Sequence, residues 1–163
     1  MQRRSFVAIP AAFALAACGF ELRRAPEFAF KTILIPSTGA VASDLRRNLA
    51  SIPEVQALPP ASAPSQAQVI LDIPAELREK VVVGLNASGQ VREFQLRTRV
   101  KFKLRTPRGK ELIPETELLQ QRDISFSETA VLAKESEEVL LYRDMQSDLV
   151  QQLMRRLAAL KAL

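Results

Sequence analysis

The sequence predicts an α+β domain: two helices packed on a mixed, roughly four-stranded sheet, an α/β sandwich. Three observations predict it. From Phe94 to Arg105 a mainly apolar face (with Thr98) alternates with a polar one, Gln95 and then five cations, and the run leads into a Pro107-Arg108-Gly109 turn. Tyr142, Met145, Leu149, Leu153, Leu157 and Leu160 recur at helical spacing near the C-terminus. A compact apolar run, Phe30 to Pro36, is followed by a second helical stripe, Val41, Leu45, Leu49 and Ile52. Strands beside helices, without a strict βαβ repeat, give layers of helix on sheet. No internal repeat is visible.

The chain opens with a segment of a different kind. Arg3 and Arg4 precede an apolar run from Phe6 to Ala17, too short to span a bilayer as a helix. A basic start, an apolar middle and small residues before a cleavage point describe an export signal. Leu15-Ala16-Ala17-Cys18 resembles the lipobox of bacterial lipoproteins, in which the thiol takes a diacylglycerol and cleavage leaves the cysteine first. Residues 1–17 are therefore expected to be a cleaved lipoprotein signal peptide, and residues 18–163 a single domain on a short N-terminal lipid tether. Cys18 is the expected lipidation site, carrying covalent N-acyl and S-diacylglycerol chains. Two or more acyl chains make such anchoring stable where one does not. Gly19, where inner-membrane lipoproteins often carry Asp, favours the outer membrane. The paired arginines leave both general secretory and twin-arginine export open.

Composition narrows the chemistry. The hydrophobic fraction of 47% and charged fraction of 25% are those of an ordinary globular domain. Without Arg3 and Arg4, 21 basic residues stand against 18 acidic, a formal charge of +3, too mild to argue for nucleic acid. Cys18 is the sole cysteine, so no intrachain disulfide can form, and stability must come from packing. The chain has no histidine, which with the single cysteine removes most zinc, haem and copper sites and every Ser-His or Cys-His pair. No glycine-rich phosphate loop occurs among five glycines. The expectation is a protein that is not an enzyme and that uses no metal or diffusible cofactor.

Taken in order, Phe30–Pro36 reads as a first strand, and Ser37-Thr38-Gly39 turns the chain into a helix that Pro53 closes, with Ser43 or Thr38 as the expected cap. Leu58–Gln66 is a Pro/Ser/Ala loop. Ala67–Ile73 and Lys80–Gly84 read as strand segments, with Pro74 forcing an edge or a bulge between them. Asn86–Gln90 is a turn. In the hairpin, a three-residue loop with Gly109 in the left-handed position sets Arg105 opposite Glu111, Lys101 opposite Glu115 and Arg99 opposite Glu117. It also sets Leu104 opposite Leu112 and Thr98 opposite Leu118, and leaves Arg97 and Lys103 across from Leu119 and Ile113. The last helix is expected from about Lys134 to Leu160. Glu135, Glu137 and Glu138 at its start and Arg155, Arg156 and Lys161 at its end complement its dipole.

The cationic stripe has two readings. It is a solvated sheet face laced with cross-strand ion pairs, or it is a surface for a polyanion at the membrane, with lipopolysaccharide phosphates the obvious candidate. The register supplies carboxylates for three of its five cations, and leaves Arg97 and Lys103 free.

Cys18-Gly19-Phe20-Glu21-Leu22-Arg23 resembles the Cys-Gly-(Trp/Phe)-His-Leu-Arg opening of the lipopolysaccharide-assembly lipoprotein family LptE. Gly89-Gln90, then Glu93-Phe94-Gln95-Leu96 and the alternating strand, then Arg122 and Leu132-Ala133-Lys134-Glu135 before the long helix, follow in similar order and spacing. The resemblance implies two helices on a four-stranded sheet. It also implies a role: a plug inside the β-barrel protein LptD that helps assemble the barrel and delivers lipopolysaccharide to the outer leaflet. Lys134 matches a family basic residue thought to contact lipopolysaccharide, and Arg122 belongs to the same matched stretch. A second family basic residue falls near Ala87, and Glu21 replaces the usual histidine; Arg92, Arg97 and Lys103 are the cations available instead. The expected partners are the LptD barrel, lipopolysaccharide and the outer membrane, with the domain facing the periplasm and the barrel lumen, and no nucleic acid. The alternative is an envelope lipoprotein that binds anionic glycolipid or glycan without a barrel.

Overall fold

The computed structural model describes residues 27–162. The signal segment, Cys18 and the Cys18–Arg23 opening lie outside them. Seven elements follow one another: β1 (Thr32–Leu34), α1 (Ala40–Ala50), β2 (Gln56–Leu58), β3 (Val69–Leu85), β4 (Val91–Arg105), β5 (Glu111–Ser125) and α2 (Val131–Ala158). The sheet has five strands in the order β2-β1-β3-β4-β5; β1 runs parallel to β2 and β3, and the rest is antiparallel. The expected mixed sheet with two helices is present, and the fifth strand is β2, inside what the sequence suggested was the edge of a loop.

Both helices lie on the same face. Val41, Ala42, Leu45 and Leu49 of α1 and Leu149, Val150, Leu153 and Leu157 of α2 meet Ile33, Val69, Leu71, Val100, Phe102 and Leu104 in one buried cluster. Alternation decides which β4 residues reach it: Leu96, Thr98, Val100, Phe102 and Leu104 are buried, while Arg97, Arg99, Lys101, Lys103 and Arg105 point to the open face. At 0 % exposure, Phe102 is one of the largest buried side chains. A second small cluster, Leu34, Leu58, Ala67 and Ile70, sits under the Pro/Ser/Ala loop. A third, Leu96, Ile124 and Met145 with Phe94 and Tyr142, closes the other end.

Helix starts differ from expectation. No side chain of its own turn caps α1; the Glu76 carboxylate, reaching across from β3, accepts the Val41 N–H at 3.2 and 3.3 Å. It takes the place of the expected Ser43 or Thr38 cap, and a negative charge there suits the helix dipole. Gly39 precedes the helix because a β-carbon would run into that carboxylate. The long helix begins at Val131, before Lys134, and its first turn holds no acid. Glu135, Glu137 and Glu138 thus lie in the second turn, where the dipole effect has faded. Ion pairs occupy two of them instead: Lys134 with Glu137 at 2.8 Å and Lys80 with Glu138 at 2.6 Å.

The β4–β5 turn forms as expected. Gly109 has φ +88°, the Thr106 N–H donates to the Lys110 carbonyl at 2.8 Å, and Arg105 faces Glu111. Beyond it the register slips twice, once at Leu112 and once at Pro114-Glu115, which together face Lys103. Pro114 has no N–H to give the ladder, so the strand bulges around it. The expected pairs are therefore corrected. Leu104 faces Ile113, Lys101 faces Glu117, Arg99 faces Leu119, Thr98 faces Gln120 and Arg97 faces Gln121. The total slip is two residues, an even number, so from Thr116 onward every side chain keeps its expected face, while Ile113, between the two slips, turns toward the core. On the other side, β3 is one strand whose register breaks between Asp72 and Ala75, at Pro74. Asn86 closes the β3–β4 turn, its side-chain oxygen accepting the N–H groups of Ser88 and Gln90.

Candidate ligand-binding faces

β3, β4 and β5 form a three-stranded blade with one face covered by α2 and the other open. Arg99 is central on the open face. Its guanidinium lies 3.4 Å from both Glu79 and Glu117, with Leu77 and Leu119 directly across on the neighbouring strands. These half-exposed pairs contribute at most about 1 kcal/mol each. Because Arg99 takes both carboxylates, Glu79 does not serve Arg97, nor Glu117 Lys101. Arg105 is held by Asp72 at 2.7 Å, a hydrogen bond that raises its already high pKa, so Asp72 does not serve Lys103 opposite it. Arg97 donates to Gln95 at 2.8 Å, a neutral partner. Among the described residues Arg97, Lys101 and Lys103 thus have no carboxylate. The sequence left Arg97 and Lys103 free; the bulge adds Lys101. Leu77 (55 % exposed), Val81 and Leu119 (43 %) make the face amphipathic. Charge alternation did not reveal those apolar flanks, since Val81-Val82-Val83 reads like an interior strand.

The far end of the blade, around the β3–β4 turn and the start of α2, carries a different arrangement. Lys134 Nζ donates to Ser125 Oγ at 2.9 Å and to Glu137, and Lys80 Nζ lies 4.4 Å above the Phe94 ring. With Phe126 and Val131 they line a cleft of about 70 Å³, room for one or two waters. Val82, Val83, Leu85, Leu132, Val139 and Leu140 are exposed around it, Leu132 by 80 %. Tyr142 donates to the Glu79 carbonyl at 2.9 Å beneath Arg78, and burial raises its pKa. Lys80 is the member of this group that the sequence did not single out.

The five cations expected to meet lipopolysaccharide are not gathered in one place. Arg97 and Lys103 lie on the open face and Arg92 is exposed near the β3–β4 turn. Lys134 and Arg122 belong to the helix side. Arg122 is tied to Asp148 of α2 at 2.6 Å and to the Gln121 carbonyl, so it clamps helix to sheet. No helix among the described residues is long and apolar enough to cross a membrane.

The fold is thus a small helix-backed sheet with an open, amphipathic, cation-bearing blade. Its family is specific: the model of LptE, described as lipopolysaccharide-assembly, matches residues 30–157, and the chain belongs to that family. The solution NMR structure of an uncharacterized lipoprotein B from Nitrosomonas europaea is similar, with 34% identity and a TM-score of 0.74 over 86% of this chain and 91% of that one. Two crystal structures share the fold at lower identity. The rare lipoprotein B from Shewanella oneidensis has 17% identity and a TM-score of 0.61, over 79% of this chain and 95% of its own. The minor lipoprotein from Acinetobacter baumannii has 18% identity and a TM-score of 0.60, over 83% and 94%. No curated protein matches the chain.

Proposed function

We propose that this lipopolysaccharide-assembly lipoprotein is held in the outer membrane by acyl chains on Cys18, plugs the β-barrel protein LptD and helps it assemble, and passes lipopolysaccharide to the outer leaflet. The observation that carries the reading is the family match across residues 30–157, which takes in all seven elements of the fold. Two features of the molecule support it. β4 has 15 residues, about 50 Å of extended chain, against about 40–45 Å for a bilayer with its headgroups. A blade of that length, standing along a barrel axis, reaches from one mouth to the other. Its open face and far end join cations to exposed Leu and Val, the pairing a phosphorylated, acylated glycolipid calls for.

In this reading Arg97 and Lys103 offer charge without an internal competitor, Arg92 lies near the tip, and Lys134 stands at the apolar far end. Arg122 contributes by holding α2 against β5. No group needs to act as a catalyst or hold a metal. Depletion of the protein in its own host tests the assembly role. The amount of folded, heat-modifiable barrel in the outer membrane should fall with it; an unchanged amount would contradict that role.

A further inference from the structure

The two ends of the blade differ in charge. At the near end the chain joins the fold through Glu27, β3 begins, β4 turns into β5 and α2 finishes. Lys31, Arg108, Lys110, Arg155, Arg156 and Lys161 all fall there, and all are exposed. None has a carboxylate partner among the described residues, whereas Arg47, Lys80, Arg99, Arg105, Arg122 and Lys134 elsewhere do. Among the described residues the acidic side chains at this end are Glu27, Glu54 and Glu111, too few to neutralise six cations. The helix dipole accounts for Arg155 and Arg156 in the last turn of α2. It does not account for Lys31, just before β1, or for Arg108 and Lys110 in the β4–β5 turn. Arg108 and Lys110 also border an open groove of about 900 Å³ whose wall includes Pro64, Ala67 and Pro107.

Eight residues lie between Cys18 and Glu27, a span of at most about 30 Å when fully extended. A bilayer anchor on Cys18 therefore keeps the near end close to the lipid surface. The sequence between Cys18 and Glu27 includes Arg23 and Arg24. We propose that the near end is a docking surface for anionic phospholipid headgroups, resting the domain on the leaflet that holds its anchor. The placement rests on the reading of Cys18 as acylated. Several cations within a Debye length of an anionic surface act together, and salt weakens them together.

The test uses residues 18–163 with Cys18→Ser, made without lipid; all seven elements and the whole core lie within residues 27–162. Binding is measured to vesicles of phosphatidylcholine with and without phosphatidylglycerol, at rising salt. The expected result is a preference of about tenfold or more for the anionic vesicles, lost as salt rises. The Arg108→Glu, Lys110→Glu, Arg155→Glu triple variant should lose it, and Arg78→Glu with Arg143→Glu, exposed residues away from this end, should keep it. Equal binding to both vesicles, or equal loss in both variants, would overturn the proposal. The vesicles contain neither barrel nor lipopolysaccharide, so the result is independent of the plug. Acylation is read separately, from the mass of the wild-type protein recovered from membranes.

Discussion

Two residues on the helix side of the sheet, Lys134 of α2 and Thr98 of β4, show how local chemistry separates binding from stability. Lys134 is partly buried, held by Ser125 and Glu137, with its ammonium beside an apolar rim. Lys134→Glu reverses that charge next to Glu135 and Glu138 without touching the core. It should weaken lipopolysaccharide binding by about tenfold, the worth of one charge-assisted contact, and leave the circular dichroism spectrum unchanged. Unaltered affinity would remove Lys134 from the ligand contacts. Thr98 is the converse: its side chain is fully buried on β4 and its hydroxyl has no hydrogen-bond partner among the described residues. Thr98→Val keeps the shape and removes a stranded polar atom. Urea unfolding should show a gain of up to about 1 kcal/mol, with binding unaffected; a loss would mean the hydroxyl is satisfied. The sequence placed Thr98 on the inward face correctly, but alternation says nothing of whether a hydroxyl finds a partner there.

At the scale of elements, the hairpin was the most legible part and also held the main error. Alternation from Phe94 to Arg105 and a glycine after Pro-Arg are signals local enough to read. Gly109 at φ +88° is where the turn depends on them. Gly109→Ala should destabilise by about 1–2 kcal/mol in urea melts, through backbone strain alone, since nothing lies within 4 Å of an added β-carbon. An unchanged midpoint would mean that the turn rebuilds itself at no cost. The two-residue slip at Leu112 and Pro114-Glu115 was signalled by Pro114, which cannot donate in a ladder, although the size of the slip depends on packing between strands. β2 was illegible for another reason. Three residues beside a Pro-rich loop carry no periodicity, and the strand exists because β1 offers it hydrogen bonds. The early start of α2 was hidden because Val131 and Leu132 are exposed and so add nothing to the apolar stripe. Glu76 capping α1 from 35 residues away is likewise a tertiary fact.

Across the whole molecule, one face of the sheet is covered by both helices and the other is open, with cations unpaired among the described residues at the end where Glu27 enters the fold and exposed apolar residues at the far end. That layout suits a protein held at one leaflet and working toward the other. Removing the anchor tests the first half: Cys18→Ala should move the protein out of the membrane fraction in cells that lack the barrel, and retention there would contradict anchoring through Cys18. The most direct measurement of the second half is affinity capture of the tagged, wild-type protein from detergent-solubilised outer membranes, with bound proteins and lipids identified by mass. The plug reading predicts one large β-barrel at equal stoichiometry, carrying lipopolysaccharide with it. Capture of the protein with lipopolysaccharide but no barrel would contradict it and leave a lipid-tethered glycolipid-binding domain.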